Sequence, residues 1–120
     1  MTIQKVLCVD DSYTDLVNIQ KIVIGTGRFV VTAANGKEAI EMTKSEKPDL
    51  IFMDVNMPDM DGFAATRALK KDPVTKDIPV VFVTSKDQKA DKMWGQMQGG
   101  SGYIVKPYTS DDIVRLVNTL

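Results

Sequence analysis

Hydrophobic residues along this chain gather in four short runs that do not alternate with polar positions. The runs lie at residues 6–9, 50–53, 80–83 and 103–105 and are rich in valine and isoleucine. Continuous apolar runs of this length are typical of strands covered on both faces, as in parallel sheets. A fifth run at residues 29–33 is less uniformly apolar, so we predict that it forms an edge strand.

Segments with a helical period lie between these runs and after the last one. The clearest is at the end of the chain, where Ile113, Leu116, Val117 and Leu120 fall on one face of a helix. The other predicted helices follow Ser12 and cover about 37–45, 62–70 and 87–98. Five alternations of strand and helix with short connections predict an α/β domain, with an open parallel sheet and helices on both faces.

Composition and charge narrow the classes of protein to consider. The chain has 120 residues, of which 43% are hydrophobic and 26% charged, which suits one globular domain. Fifteen basic and 16 acidic residues give a net charge of −1, so we expect no nucleic-acid partner. The N-terminus lacks the apolar stretch of a signal peptide, and no apolar run approaches the ~20 residues of a membrane helix. We therefore expect a cytoplasmic protein without membrane insertion.

The chain has no histidine and one cysteine, which excludes several kinds of catalytic and metal site. The chain has no histidine, which excludes histidine-based catalytic triads, imidazole zinc sites and histidine general bases. Cys8 is the single cysteine, so no disulfide can form within the chain. Because Cys8 lies in the first apolar run, we expect a buried and inert thiol.

Polar residues follow four of the predicted strands at their carboxyl ends. Asp10 and Asp11 follow the first strand, Asp54 the third, Thr84 the fourth and Lys106 the fifth. The functional crevice of an open parallel sheet lies at this edge. We therefore expect three carboxylates, a hydroxyl and an ammonium to meet there.

Each of these residues also has an ordinary structural explanation when it is considered alone. Asp10 and Asp11 could cap a helix, Thr84 suits a strand end, and Lys106 could be a solvated charge. Asp54 is the exception, because it directly follows an apolar strand where a charge is poorly hydrated. Considered together, three converging carboxylates repel one another and are costly to desolvate, so the site needs protonation or a bound cation.

A magnesium ion would meet this need. Mg²⁺ binds through one or two carboxylates, water and phosphate oxygens. With Lys106 as a second positive charge and Thr84 as a hydroxyl donor, the site could stabilise a transferring phosphoryl group. A carboxylate is a competent nucleophile for that group, so we predict an aspartyl phosphate at Asp54.

The strand-end segments together resemble the receiver domains of bacterial response regulators. The segments are Val9-Asp10-Asp11-Ser12, Met53-Asp54-Val55-Asn56-Met57-Pro58 with Asp61-Gly62, Val83-Thr84-Ser85 and Val105-Lys106-Pro107. The resemblance covers essentially the whole chain. It implies a flavodoxin-like, CheY-like fold with strand order 2-1-3-4-5. Because no residues follow the fifth predicted helix, we also expect a single receiver domain over residues 1–120 with no output domain.

The resemblance also implies a role for each matching residue. Asp54 would accept a phosphoryl group from a histidine kinase or a small phosphodonor. Asp10 and Asp11 would hold Mg²⁺ together with Asp54 and the backbone carbonyl of Asn56. Thr84 would be the switch hydroxyl that bonds the phosphoryl oxygens.

Further roles follow for residues around the acceptor. Lys106 would contact the phosphoryl group, Tyr103 would turn inward when the threonine moves, and Pro107 would shape the loop after the fifth strand. The side chains of Asn56 and Lys86 would flank the path of the hydrolytic water and tune the lifetime of the phosphorylated state. A downstream protein would bind the face formed by the fourth helix, fifth strand and fifth helix.

Residues 84–99 show a narrower resemblance to regulators of twitching motility. It rests on the Ser-Lys-Asp start, Asp91-Lys92 and Trp94-Gly95. It suggests signalling in type IV pilus motility or a chemotaxis-like pathway.

The spacing of apolar residues in the fourth helix predicts how that helix packs. We expect Met93 and Met97 on its core face, whereas Trp94 could belong to the core or contact a partner. Gly95 costs ~1 kcal/mol relative to alanine inside a helix, which suggests a weak or mobile fourth helix.

Four other functions are consistent with parts of the pattern. The protein could drain phosphoryl groups from another regulator of the same pathway. An aspartate-nucleophile phosphatase usually has its nucleophile after the first strand and a second acid two residues on, where this chain has Asn56. A degenerate scaffold module would lack Asp54, Thr84 or Lys106, and all three are present. A nucleotide or flavin carrier would need a glycine-rich phosphate loop after the first strand.

Overall fold

The computed structural model describes residues 2–120 as five strands that alternate with five helices. The strands are β1 (Lys5–Val9), β2 (Phe29–Ala33), β3 (Leu50–Met53), β4 (Val80–Thr84) and β5 (Gly102–Val105). The helices are α1 (Tyr13–Ile24), α2 (Gly36–Glu46), α3 (Gly62–Lys71), α4 (Lys89–Met97) and α5 (Ser110–Thr119). All neighbouring strands pair in parallel, in the order β2-β1-β3-β4-β5, so the predicted α/β fold and strand order are confirmed. Met1, the first residue of the predicted domain, lies outside the described residues.

The sheet separates two apolar clusters, one on each face. Alternate β-strand residues such as Leu7 and Ile51 pack with residues of α2 and α3 on one face. The intervening residues, such as Val6 and Phe52, pack with residues of α1 and α5 on the other. This two-sided burial explains the continuous apolar runs of the central strands. The run in β5 is only half-buried, because β5 lies at an edge of the sheet.

Helix α4 packs differently from its predicted orientation. The side chains of Met93 and Met97 are 55% and 72% exposed, so the prediction that they face the core is wrong. Gly95 is the residue that α4 buries. A Cβ atom at Gly95 would lie 3.0 Å from the Phe82 ring, so the missing side chain lets the helix approach the sheet closely. Trp94 is 45% exposed on the same helix.

The described helices are short, with 9 to 12 residues each. Within residues 2–120, none combines the length and the apolar content needed to cross a membrane.

Candidate functional site

Three carboxylates meet at the carboxyl edge of the sheet, where β1 and β3 end side by side. The Asp54 N–H donates to the Val9 carbonyl at 3.0 Å, which extends the strand pairing and places Asp54 beside Asp10. One carboxylate oxygen each from Asp10, Asp11 and Asp54 lies within 4.8 Å of the other two. Asp10 and Asp54 are buried and Asp11 is exposed, so the cluster has one open side.

The start of α1 orients Asp10 toward this cluster. Asp10 Oδ1 accepts a 2.9 Å hydrogen bond from the Ser12 N–H, which fixes the carboxylate. The helix is capped by Ser12, whose side chain accepts from the Asp15 N–H at 3.4 Å. The capping function that Asp10 or Asp11 could have served therefore belongs to Ser12, which leaves the other Asp10 oxygen, Oδ2, directed at Lys106.

The start of α3 supports Asp54 from behind. Asp61 caps this helix by accepting from the Ala64 N–H at 2.8 Å. Gly62 donates to the Val55 carbonyl at 3.0 Å. A Cβ atom at Gly62 would overlap the Asp54 carbonyl oxygen, so only glycine allows α3 to begin this close to the end of β3.

Lys106 supplies the positive charge of the site. Its Nζ lies 2.9 Å from Asp10 Oδ2, 2.9 Å from Asp15 Oδ2 and 3.6 Å from Asp54 Oδ1. Burial acts to lower the pKa of Lys106, but hydrogen bonds to Asp10 and Asp15 and the charge of Asp54 raise it overall. Lys106 is therefore a permanent cation within this network.

Asp15 contacts Lys106 but was not predicted from the sequence as a residue of the site. An acid in the first turn of a helix is explained by the helix dipole alone, so it carries no obvious functional signal. A signal was nevertheless present, because α1 begins directly after β1 and its first turn must lie at the same edge as Asp10.

The charge balance at Asp54 leaves the cluster with excess negative charge. Burial and the neighbouring charge of Asp10 raise the pKa of Asp54 to about 7, although Lys106 opposes this. One ammonium thus does not compensate three carboxylates. Hard carboxylate oxygens at this spacing, with excess negative charge and an open side, fit the ligand preference of Mg²⁺.

Thr84 and Tyr103 are linked through the backbone of Lys86. The buried Thr84 Oγ1 accepts from the Lys86 N–H at 3.2 Å. The Tyr103 hydroxyl donates to the Lys86 carbonyl at 2.7 Å, and its ring packs against Phe82 with centroids 6.1 Å apart. The loop between β4 and α4 is therefore held by both residues.

The remaining predicted residues lie in loops that follow β3, β4 and β5. Asn56, two residues after Asp54, and Lys86 are both exposed. Pro107 follows Lys106 through a cis peptide bond and, with Lys106 and Asp15, lines an open cavity of about 430 Å³ beside the site. The predicted roles of these residues remain predictions.

Comparison with known proteins identifies the class of protein that this fold and site define. Residues 6–118 match the response regulator receiver domain family, so the chain belongs to that family of signalling domains. It is 40% identical to protein PilH of Pseudomonas aeruginosa, over 97% of this chain and 96% of that protein. It is also 38% identical to part of the sensor histidine kinase CheAY of Helicobacter pylori, over 93% of this chain and 14% of that protein.

A solved structure confirms the fold over nearly the whole chain. The chemotaxis protein CheY4 of Vibrio cholerae superposes with a TM-score of 0.91 at 31% identity and covers 98% of both chains. The predicted family resemblance is thus confirmed.

Proposed function

We propose that this chain is a stand-alone response regulator that accepts a phosphoryl group on Asp54 from a histidine kinase in a Mg²⁺-dependent reaction. The observation that carries the proposal is the environment of the Asp54 carboxylate. It is buried at the sheet edge, with oxygens of Asp10 and Asp11 within 4.8 Å and the Lys106 ammonium 3.6 Å away.

The covalent step of the transfer takes place between Asp54 and a phosphohistidine donor. An Asp54 carboxylate oxygen attacks phosphorus, a new O–P bond forms and the P–N bond of the donor breaks. The electron pair of the broken bond stays on the imidazole nitrogen, which takes up a proton. Lys106 stabilises the charge that spreads over the phosphoryl oxygens.

Asp10, Asp11 and Asp54 and the backbone carbonyl of Asn56 would hold the magnesium ion. When bound, the ion would supply positive charge that offsets the carboxylates and polarises a phosphoryl oxygen. Asp10 Oδ2 also contacts the Lys106 ammonium at 2.9 Å, so an ion held by Asp10 would compete with that contact and leave Lys106 freer to meet the phosphoryl group.

The hydrogen bonds of Lys86 support a switch from the site to the surface. If the Thr84 hydroxyl turns to a phosphoryl oxygen, it gives up the Lys86 N–H, which loosens one of the two contacts of the loop. Tyr103, which holds the other contact, would then move inward. Both changes reach α4, whose Trp94, Met93 and Met97 are exposed, and we propose that a downstream protein binds the face formed by α4, β5 and α5.

We propose that the lifetime of the phosphorylated state depends on Asn56 and Lys86. Both are exposed in loops that flank the acceptor, where they can control the approach of water. Lys86→Ala is expected to speed loss of the phosphoryl group, because truncation opens this path. A rate equal to that of the wild type would count against a role for Lys86.

The similarity to PilH and the resemblance of residues 84–99 to twitching-motility regulators support a pathway of the type IV pilus or chemotaxis-like kind. We propose this as the pathway of the protein. In this proposal the chain acts as a phosphoacceptor and not as a turnover enzyme.

One incubation tests the central step. Purified protein with acetyl phosphate and Mg²⁺ should gain the mass of one phosphoryl group, as measured by intact mass spectrometry. Asp54→Asn should gain none, whereas Asp59→Asn, which removes an exposed carboxylate from the following loop, should behave as wild type. No gain in the wild type, or an equal gain in Asp54→Asn, would overturn the proposal. Steady turnover of a phosphomonoester would instead favour a phosphatase.

A further inference from the structure

Lys106 is held by two carboxylates that differ in their surroundings. Asp10 and Asp15 each lie 2.9 Å from its Nζ, but the side chain of Asp10 is 7% exposed and that of Asp15 is 45% exposed. Asp10 belongs to the three-carboxylate cluster, whereas Asp15 contacts Lys106 from the first turn of α1. Lys106 therefore has one partner inside the candidate metal site and one beside it.

These two partners take up most of the hydrogen-bonding capacity of the ammonium. Two of its three N–H groups are used by Asp10 and Asp15, and Asp54 Oδ1 is 3.6 Å away, beyond a good hydrogen bond. A cation that occupies the cluster competes with Lys106 for Asp10 but leaves Asp15 free to hold it. Asp15 is thus the partner that Lys106 keeps until a phosphoryl group attracts it.

We propose that Asp15 is a positioning residue that holds Lys106 beside the unphosphorylated site, which eases metal entry at Asp10 and opposes capture of the ammonium by a phosphoryl group. The inference rests on the proposed function, because it assigns a regulator to the same acceptor site. In this proposal the position of Lys106 depends on two competing partners, Asp15 on α1 and the phosphorylated Asp54 after β3.

The proposal predicts opposite changes in two affinities when Asp15 loses its charge. Without Asp15, Lys106 depends more on Asp10, so Mg²⁺ should bind more weakly. The ammonium is also freer to meet a phosphoryl group, so beryllofluoride, a mimic of that group, should bind more tightly. Each change should be about two- to fivefold, the range expected for a half-exposed ion pair.

The experiment measures Mg²⁺ affinity by calorimetry, and beryllofluoride affinity at saturating Mg²⁺ by fluorine NMR, on the whole chain. The variants are Asp15→Asn, Lys106→Met and the double variant. Asp15→Glu keeps the charge and should stay close to wild type. Asp59→Asn removes an exposed charge from the loop between β3 and α3 and should also leave both affinities unchanged.

The double variant separates an action through Lys106 from a general effect of charge. Asp15→Asn should shift both affinities in the wild-type background and neither in the Lys106→Met background. Equal shifts in both backgrounds, an Asp59→Asn shift of the same size, or no shift in Asp15→Asn would overturn the inference alone. Wild-type protein that binds neither probe would overturn the proposed function, and with it this inference.

Discussion

The hydroxyl of Tyr103 donates a 2.7 Å hydrogen bond to the backbone carbonyl of Lys86 and so ties strand β5 to the loop after β4. The backbone N–H of Lys86 donates to the side-chain oxygen of Thr84 at 3.2 Å. The loop after β4 is thus held by two hydrogen bonds, one to Thr84 at the buried end of β4 and one to Tyr103 in the edge strand β5. Loss of either bond should loosen it while leaving the sheet intact.

Tyr103→Phe should loosen this loop locally. The lost hydrogen bond is worth about 0.5–1.5 kcal/mol, which corresponds to amide exchange up to about tenfold faster in residues 85–88. Hydrogen–deuterium exchange with mass spectrometry measures this directly. Tyr108→Phe is the matched control, since the Tyr108 hydroxyl bonds Asn18 and not this loop. Equal exchange in wild type and Tyr103→Phe would contradict a role for the hydroxyl.

Asp54 should make the metal-free protein less stable as the pH rises. Burial and the charge of Asp10 raise its pKa from 3.8 to about 7, so the folded protein binds the proton more tightly than the unfolded chain. The protonated carboxyl favours folding below about pH 4, and this contribution is lost as the pH rises through about 7. At pH 8 without divalent ions, Asp54→Asn should raise the free energy of unfolding by on the order of 2–4 kcal/mol.

Urea unfolding between pH 4 and pH 8 checks this dependence on Asp54. The difference between Asp54→Asn and wild type should shrink toward the acid end. Glu41→Gln, at an exposed position of α2, should show no such trend. A difference that does not vary with pH would mean that the Asp54 carboxyl does not titrate in the folded protein as described.

Gly62→Ala should destabilise the fold even though alanine is the better helix former. The added methyl would overlap the Asp54 carbonyl oxygen and lie 3.0 Å from Met53 Cγ, so α3 would have to move away from Asp54. We expect a loss of about 3 kcal/mol in urea unfolding, together with slower phosphorylation. Ala68→Gly, at an exposed position of the same helix, should cost only about 1 kcal/mol through helix propensity. Unchanged stability in Gly62→Ala would show that α3 can shift freely.

Cys8 should resist thiol reagents in the folded protein. It is fully buried in β1, and this burial raises its pKa from 9.0 to about 12. The reactive thiolate is therefore scarce and inaccessible at pH 8. Iodoacetamide labelling followed by mass spectrometry should show modification in urea and almost none in its absence. Rapid labelling of the native protein would show that β1 opens readily.

The strands and their polar ends could be predicted because a buried strand requires a continuous apolar run, and the residues directly after that run lie at its carboxyl end. Continuous apolar runs identified the central strands, and Asp54 was conspicuous as an acid directly after one of them. The burial of β5 was overestimated, because an apolar run does not reveal how many neighbours a strand has. That information depends on strand order, which comes from tertiary contacts.

Two features of the structure were beyond the reach of periodicity. The apolar spacing of Met93 and Met97 predicts a core face for α4, but α4 packs against Phe82 through Gly95, and the methionines turn outward. The contact between Asp15 and Lys106 joins positions 91 residues apart. Neither residue type signals the other, so the pair emerges only when α1 and the end of β5 are placed side by side.

The exposed position of Trp94 gives this protein a built-in optical reporter. It is the only tryptophan in the chain. On α4 it stands between Met93 and Gly95, the glycine that packs against the Phe82 ring. Any tilt or slide of α4 on that ring changes how much water the indole meets, and its emission wavelength changes with it. Because no second indole contributes, intrinsic fluorescence reads the environment of one helix and not an average over the molecule.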